Sequence, residues 1–141
     1  MPLLTLLLAL VAGMFQSPAN TIDQETLRSY LENGAPFDFI LIDVRGSDEI
    51  SSAIGTAGAK PYNLAWPEQF KEVSEKIPKD LAIVIYCQSG GRAARAAAYL
   101  SEKGYPRVYN AGGMRTWKGP TVPASELKPV SRLPEPSCKS H

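Results

Sequence analysis

Residues Leu81–Leu100 read LAIVIYCQSGGRAARAAAYL. Leu81 to Tyr86 is an apolar, β-favouring run that stops at Cys87, passes through Gln88, Ser89, Gly90 and Gly91, and resumes at Arg92 with helical character. The pattern predicts a buried strand, a tight loop and a helix. Cys87 then falls at the C-terminal tip of the strand, ahead of the first free N–H groups of the helix, where open α/β sheets place their ligands. Two glycines let the backbone turn sharply and aim several amides at one point. Cys87 is that point.

The consequence is electrostatic. A free cysteine, with a pKa of about 8.5, is mostly protonated at neutral pH, and helix N-terminal amides or a nearby cation favour its anion. Arg92 supplies a permanent positive charge at the end of the same loop. Gln88, Ser89, Gly90, Gly91 and Arg92 are therefore candidate substrate-binding residues around a nucleophilic Cys87. The plainer alternative makes Cys87 a small hydrophobe ending a core strand, which requires neither the glycine pair nor the arginine. The nucleophile reading demands that solvent can reach the sulfur and that the neighbouring amides point at it.

Tyr86-Cys87-Gln88-Ser89-Gly90-Gly91-Arg92-Ala93, then Ala96-Ala97 and Leu100, Gly104-Tyr105, Val108-Tyr109-Asn110, Gly112-Gly113-Met114 and Trp117, resemble the second half of a single-domain rhodanese. Ile42-Asp43-Val44-Arg45 followed by Glu49 resembles its first half, so the likeness spans roughly Ile22 to Lys118. The resemblance implies a three-layer α/β fold with a central, mostly parallel sheet flanked by helices. It also implies a thiosulfate sulfurtransferase: Cys87 takes the outer sulfur of a small anionic donor, becomes a persulfide and passes the sulfur to cyanide or a thiol, with no metal or organic cofactor. It makes Asp43 and Arg45 supporting residues, with Arg45 adding positive potential near the pocket. One stretch departs from the family pattern. The expected Gly-His-Ile run is replaced by Ser51-Ser52-Ala53-Ile54-Gly55, without its histidine, which implies a remodelled loop leading to a short edge strand.

Other functions fit parts of the same loop. Phosphatases and arsenate reductases resemble C-x5-R, whereas this loop is C-x4-R, a smaller ring suited to sulfur. A non-catalytic rhodanese-like binding module generally lacks the cysteine that this chain keeps. A sulfur-relay carrier, loaded by or delivering to a protein partner, has the same loop.

Outward from the centre, Phe37–Val44 (FDFILIDV) reads as a central parallel strand buried on both faces, with Asp43 and Arg45 at the same sheet edge as Cys87. Upstream, Thr21 or Asp23 caps a helix through Leu27 and Leu31 that stops at Gly34. Trp66, Phe70, Val73 and Ile77 fall at helical spacing and read as core. The alanine-rich helix after the loop ends at Gly104, Arg107–Asn110 is a short strand, and Gly112-Gly113 opens a brief helix carrying Trp117 as a core plug.

The 141 residues allow one domain, and 15 basic against 14 acidic side chains leave no electrostatic footprint for nucleic acid. Two cysteines, Cys87 and Cys138, make a disulfide framework improbable. Residues 1–19 lack ionisable side chains, and Leu3–Phe15 is an apolar run of secretory length, followed by small residues at Ser17 and Ala19. They read as a cleaved export signal, giving a periplasmic or secreted protein without membrane association after cleavage, with an uncleaved anchor as the alternative. Residues 20–118 read as the domain. Residues 119–141, punctuated by Pro120, Pro123, Pro129, Pro134 and Pro136, read as an extended or disordered tail carrying Cys138.

Overall fold

A computed structural model describes residues 20–134. The layers follow from alternation along the strand Ala82–Cys87, which is buried at every position. In an extended chain successive side chains point to opposite faces. Ile83, Ile85 and Cys87 join one apolar cluster with Ala93, Ala96, Ala97 and Leu100 of the following helix. Val84 and Tyr86 join another with Leu27 and Leu31 of the N-terminal helix. The sheet is thus covered on both faces, the three-layer α/β arrangement the resemblance implies.

In chain order the elements are β1 (Asn20–Thr21), α1 (Gln24–Asn33), β2 (Phe39–Asp43), β3 (Ser52–Ile54), β4 (Tyr62–Asn63), α2 (Glu68–Val73), β5 (Ala82–Cys87), α3 (Gly91–Glu102), β6 (Val108–Gly113) and β7 (Thr121–Pro123). Five strands form a parallel sheet in the order β1-β6-β5-β2-β4. β5 is central, and its register with β2 pairs Asp43 with Tyr86, bringing the C-terminal ends of both strands to one edge.

Local chemistry sets the helix limits. Asp23 caps α1 by accepting from the Thr26 N–H at 2.8 Å, and Gly34 ends it at φ 100°. The 66–77 stretch is helical over a shorter span than its spacing predicts. α2 runs only from Glu68 to Val73 and tightens into a 3-10 turn at Ser74–Lys76. Phe70 and Ile77 are nevertheless buried, and Trp66, Phe70 and Tyr99 pack ring against ring at 5.6–6.2 Å. Trp117 follows a single 3-10 turn, Met114–Thr116, and is only partly buried.

The segment after Lys118 differs from the expected loose tail over its described part. β7 pairs antiparallel with β3, setting Ala53 opposite Val122, and these two pack with Ile50 in a small third cluster. Beyond it the Lys128 N–H donates to the Pro61 carbonyl at 2.8 Å, the Tyr62 hydroxyl donates to the Arg132 carbonyl at 2.8 Å, and Val130 and Leu133 pack on the main core. The remodelled Ser51–Tyr62 stretch thus provides β3, and the segment after Lys118 supplies its partner strand. Proline at both flanks hides that strand from a sequence reading, although a two-stranded edge tolerates proline. No helix among the described residues is long and apolar enough to cross a membrane. Residues 1–19, read as an export signal, and Cys138 lie outside the described residues.

Candidate active site

β5 ends at Cys87, and the chain turns through Gln88, Ser89 and Gly90 into α3. Gly90 makes the turn at φ 104°, a left-handed conformation that favours glycine. Gly91 has no part in the turn, since it is the first residue of α3, and a Cβ there would meet nothing within 4 Å. The turn aims the Gly90 N–H at Cys87 Sγ (3.0 Å) and the Ala93 N–H at the same atom (3.4 Å). Both donors lie at the start of α3, where N–H groups lack helical partners. The sequence pattern puts the donors between Gln88 and Arg92; the second lies one residue further on.

The amide condition is therefore met, but the sulfur is not open to solvent. Cys87 is 1% exposed and belongs to the cluster beneath α3. It forms the floor of the loop, while Gln88 and Ser89 are exposed on the rim. A donor reaches Sγ in this arrangement only when the covering groups shift.

The loop is held from below and from one side. The bulge between β5 and β6 sets Gly113 opposite Cys87, and the Arg115 N–H donates to the Gln88 carbonyl at 3.0 Å. A Cβ on Gly113 would stand 2.2 Å from the Gln88 carbonyl oxygen and 2.7 Å from the Ser89 nitrogen, so the approach requires glycine. Gly113→Ala is expected to destabilise the protein by about 2 kcal/mol, the usual scale of core overpacking, and to reduce any activity that needs the loop. A thermal melt beside an activity measurement checks this. Gly91→Ala, facing open space, is the control expected to leave stability within about 1 kcal/mol.

Asp43 and Arg45 form a buried pair. The Arg45 Nη2 donates to Asp43 Oδ2 at 2.7 Å and its Nε to Oδ1 at 3.0 Å, with both side chains at most 4% exposed. Arg45 also donates to the Ser52 carbonyl (2.9 Å) and to Gln88 Oε1 (3.4 Å). Burial pushes the Arg45 guanidinium down, but hydrogen bonding and charge from Asp43 together outweigh it and hold Arg45 above its ordinary value. The pair thus ties β2 to β3 and to the catalytic-loop candidate Gln88. Arg45 does not add unmatched positive potential as expected, because Asp43 balances it. Beside it, the Tyr86 hydroxyl accepts from the Ile54 N–H at 3.0 Å, and burial pushes its pKa up, which keeps the phenol neutral.

Arg92 is also matched. Its Nη1 and Nη2 donate to Glu49 Oε2 and Oε1 at 2.8 and 2.9 Å. Glu49 in turn accepts from the Gly46 N–H at 3.1 Å. Sequence reasoning singles out Glu49 only within a motif, because its partner lies 43 residues away. The Arg92 hydrogen bond, then the Gly46 N–H, pull the Glu49 carboxyl from 4.5 down to about 2. A depressed carboxyl pKa contributes stability above its unfolded value and loses it as pH falls through the folded one. The Glu49–Arg92 contribution is therefore intact above about pH 4.5 and lost between there and about 2. The Glu49 carboxyl carbon is expected to titrate by NMR near 2, moving towards 4.5 in Arg92→Ala. A wild-type midpoint near 4.5 would show that the pair is not held in solution.

The chain is similar to known proteins in sequence and in fold. The rhodanese-like domain family matches residues 23–120. A protein named sulfurtransferase from Allochromatium vinosum is 39% identical over 100 residues, covering 70% of this chain and 87% of that one. The thiosulfate sulfurtransferase GlpE of Coxiella burnetii is 33% identical over 92 residues, covering 63% of this chain and 82% of its own. Among solved structures, the solution NMR structure of the rhodanese-like domain of the Anabaena sp. Alr3790 protein superposes with a TM-score of 0.60 at 26% identity, over 89% of this chain and 91% of that one.

Proposed function

The chain belongs to the rhodanese-like family, and on that premise we propose that it is a sulfurtransferase working through Cys87. The observation that carries the proposal is the convergence of the Gly90 and Ala93 N–H groups on Cys87 Sγ. Both N–H groups lie at a helix N-terminus and donate to the sulfur that would form the new bond. They also provide a nest for the terminal sulfur of a persulfide.

In the proposed reaction the groups covering Cys87 shift, and its thiolate attacks the outer sulfur of a donor such as thiosulfate. A bond forms between Sγ and that sulfur, the donor's sulfur–sulfur bond breaks, and its electron pair leaves with sulfite. In the second half a thiophilic acceptor, cyanide or a thiol, attacks the terminal sulfur and returns Cys87 to the thiolate. Asp43 and Arg45 support the loop through Gln88 and take no part in bond making.

Steady-state kinetics with thiosulfate and cyanide test the scheme. A substituted-enzyme mechanism predicts parallel double-reciprocal lines, and sulfite released without cyanide, in an amount equal to the protein. Intersecting lines with no sulfite release in the absence of acceptor would refute it.

A further inference from the structure

Resting on that sulfurtransferase reading, we propose that Glu49 is a positioning residue that tunes donor choice, by holding Arg92 so that the site's preference for doubly over singly charged sulfur donors is weakened. Two ion pairs flank the Cys87 loop. Asp43 balances Arg45, and Glu49 balances Arg92 through two hydrogen bonds. Arg92 immediately precedes Ala93, whose N–H reaches Sγ, so this guanidinium is the cation nearest the sulfur in sequence.

Both partners of the Arg92 pair are partly exposed, at 31% and 40%, so the pair is open to solvent at the end of the loop. Arg45 has no such position, since it is buried and committed to Asp43. An incoming anion consequently meets loop amides and a guanidinium whose charge is already matched. Amide dipoles and a free guanidinium both attract a donor in proportion to its charge, and the guanidinium's full charge adds a second, longer-ranged contribution. Glu49 removes that second contribution. It does so at any ordinary pH, because the Arg92 hydrogen bonds and the Gly46 N–H hold its carboxyl well below the usual carboxylate range.

Thiosulfate and the methanethiosulfonate anion make the test. Both give their outer sulfur to the same thiolate; the first carries two negative charges and releases sulfite, the second carries one and releases methanesulfinate. The rate constant for persulfide formation is measured for each by quenched mixing and intact mass. In Glu49→Gln one oxygen remains for the Gly46 N–H while the charge is lost. The thiosulfate-to-methanethiosulfonate rate ratio is expected to rise about tenfold at low ionic strength, and by less as salt screens the freed guanidinium. In Arg92→Ala, Glu49 is left as an uncompensated negative charge, so the ratio is expected to fall below the wild-type value, and adding Glu49→Gln is expected to return it towards wild type. A ratio unmoved by Glu49→Gln, or one in Arg92→Ala that is not lower than the wild-type value, overturns this inference while persulfide formation itself stands. A wild-type protein that takes sulfur from neither donor overturns the sulfurtransferase reading and the inference with it.

Discussion

Cys87→Ser is expected to reduce sulfur transfer to background, a loss of at least about three orders of magnitude, with the fold intact. A serine hydroxyl at this place is neither a thiolate nor able to hold a sulfane sulfur as a persulfide. It remains small enough for the site and can still accept from the Gly90 and Ala93 N–H groups, which point at Sγ in the wild type. The stability cost is therefore expected to be about 1 kcal/mol, read as a small fall in Tm. Turnover measured beside a thermal melt checks both halves. A serine variant that transfers sulfur at the wild-type rate would remove Cys87 from the chemistry.

Asp43→Ala is expected to have the largest effect on stability, about 3–5 kcal/mol, because it strands a buried guanidinium. Arg45 is 3% exposed, and its remaining acceptors would be the Ser52 carbonyl and Gln88 Oε1. Neither carries a charge. The loss also reaches the loop, since the same guanidinium that grips Asp43 reaches Gln88 Oε1. Removing both charges, as in Asp43→Ala with Arg45→Met, is expected to recover part of the stability, because a buried pair replaced by apolar groups can be nearly neutral. Urea unfolding of the two variants separates the outcomes. A loss under about 1 kcal/mol for Asp43→Ala would mean that Arg45 finds solvent instead of staying buried.

These two positions also show what the sequence can reveal. The strand–loop–helix pattern around Cys87, the buried β2 and the cap of α1 all follow from local periodicity and turn chemistry, and each appears where its pattern places it. Asp43 and Arg45 are legible as supports at the right sheet edge. Their mutual pairing lies within two residues, yet only the fold shows that burial forces it. What escapes is long-range. Glu49 meets Arg92, Gly113 touches Gln88, and β7 completes β3 only after the sheet is assembled. No periodicity marks such contacts in advance, and the prolines around Val122 argue locally against a strand.

Cys87 itself shows the same division. Its place at the end of β5 follows from the apolar run, and the amides converge on it as that place requires. Its depth follows from the alanines of α3, whose small side chains let the helix settle close over Ile83, Ile85 and Cys87. In the sequence those alanines read as helix formers able to approach the sheet, but not as a cover for the thiol.

Intact mass of the protein after treatment with thiosulfate, with peptide mapping to locate any addition, tests the persulfide directly. Sulfur transfer through Cys87 predicts a gain of one sulfur atom on the peptide holding that residue, removed by cyanide and absent from Cys87→Ser. An unchanged mass at Cys87 under the same treatment would contradict it, and would mark this cysteine as a sealed core residue at the end of a strand.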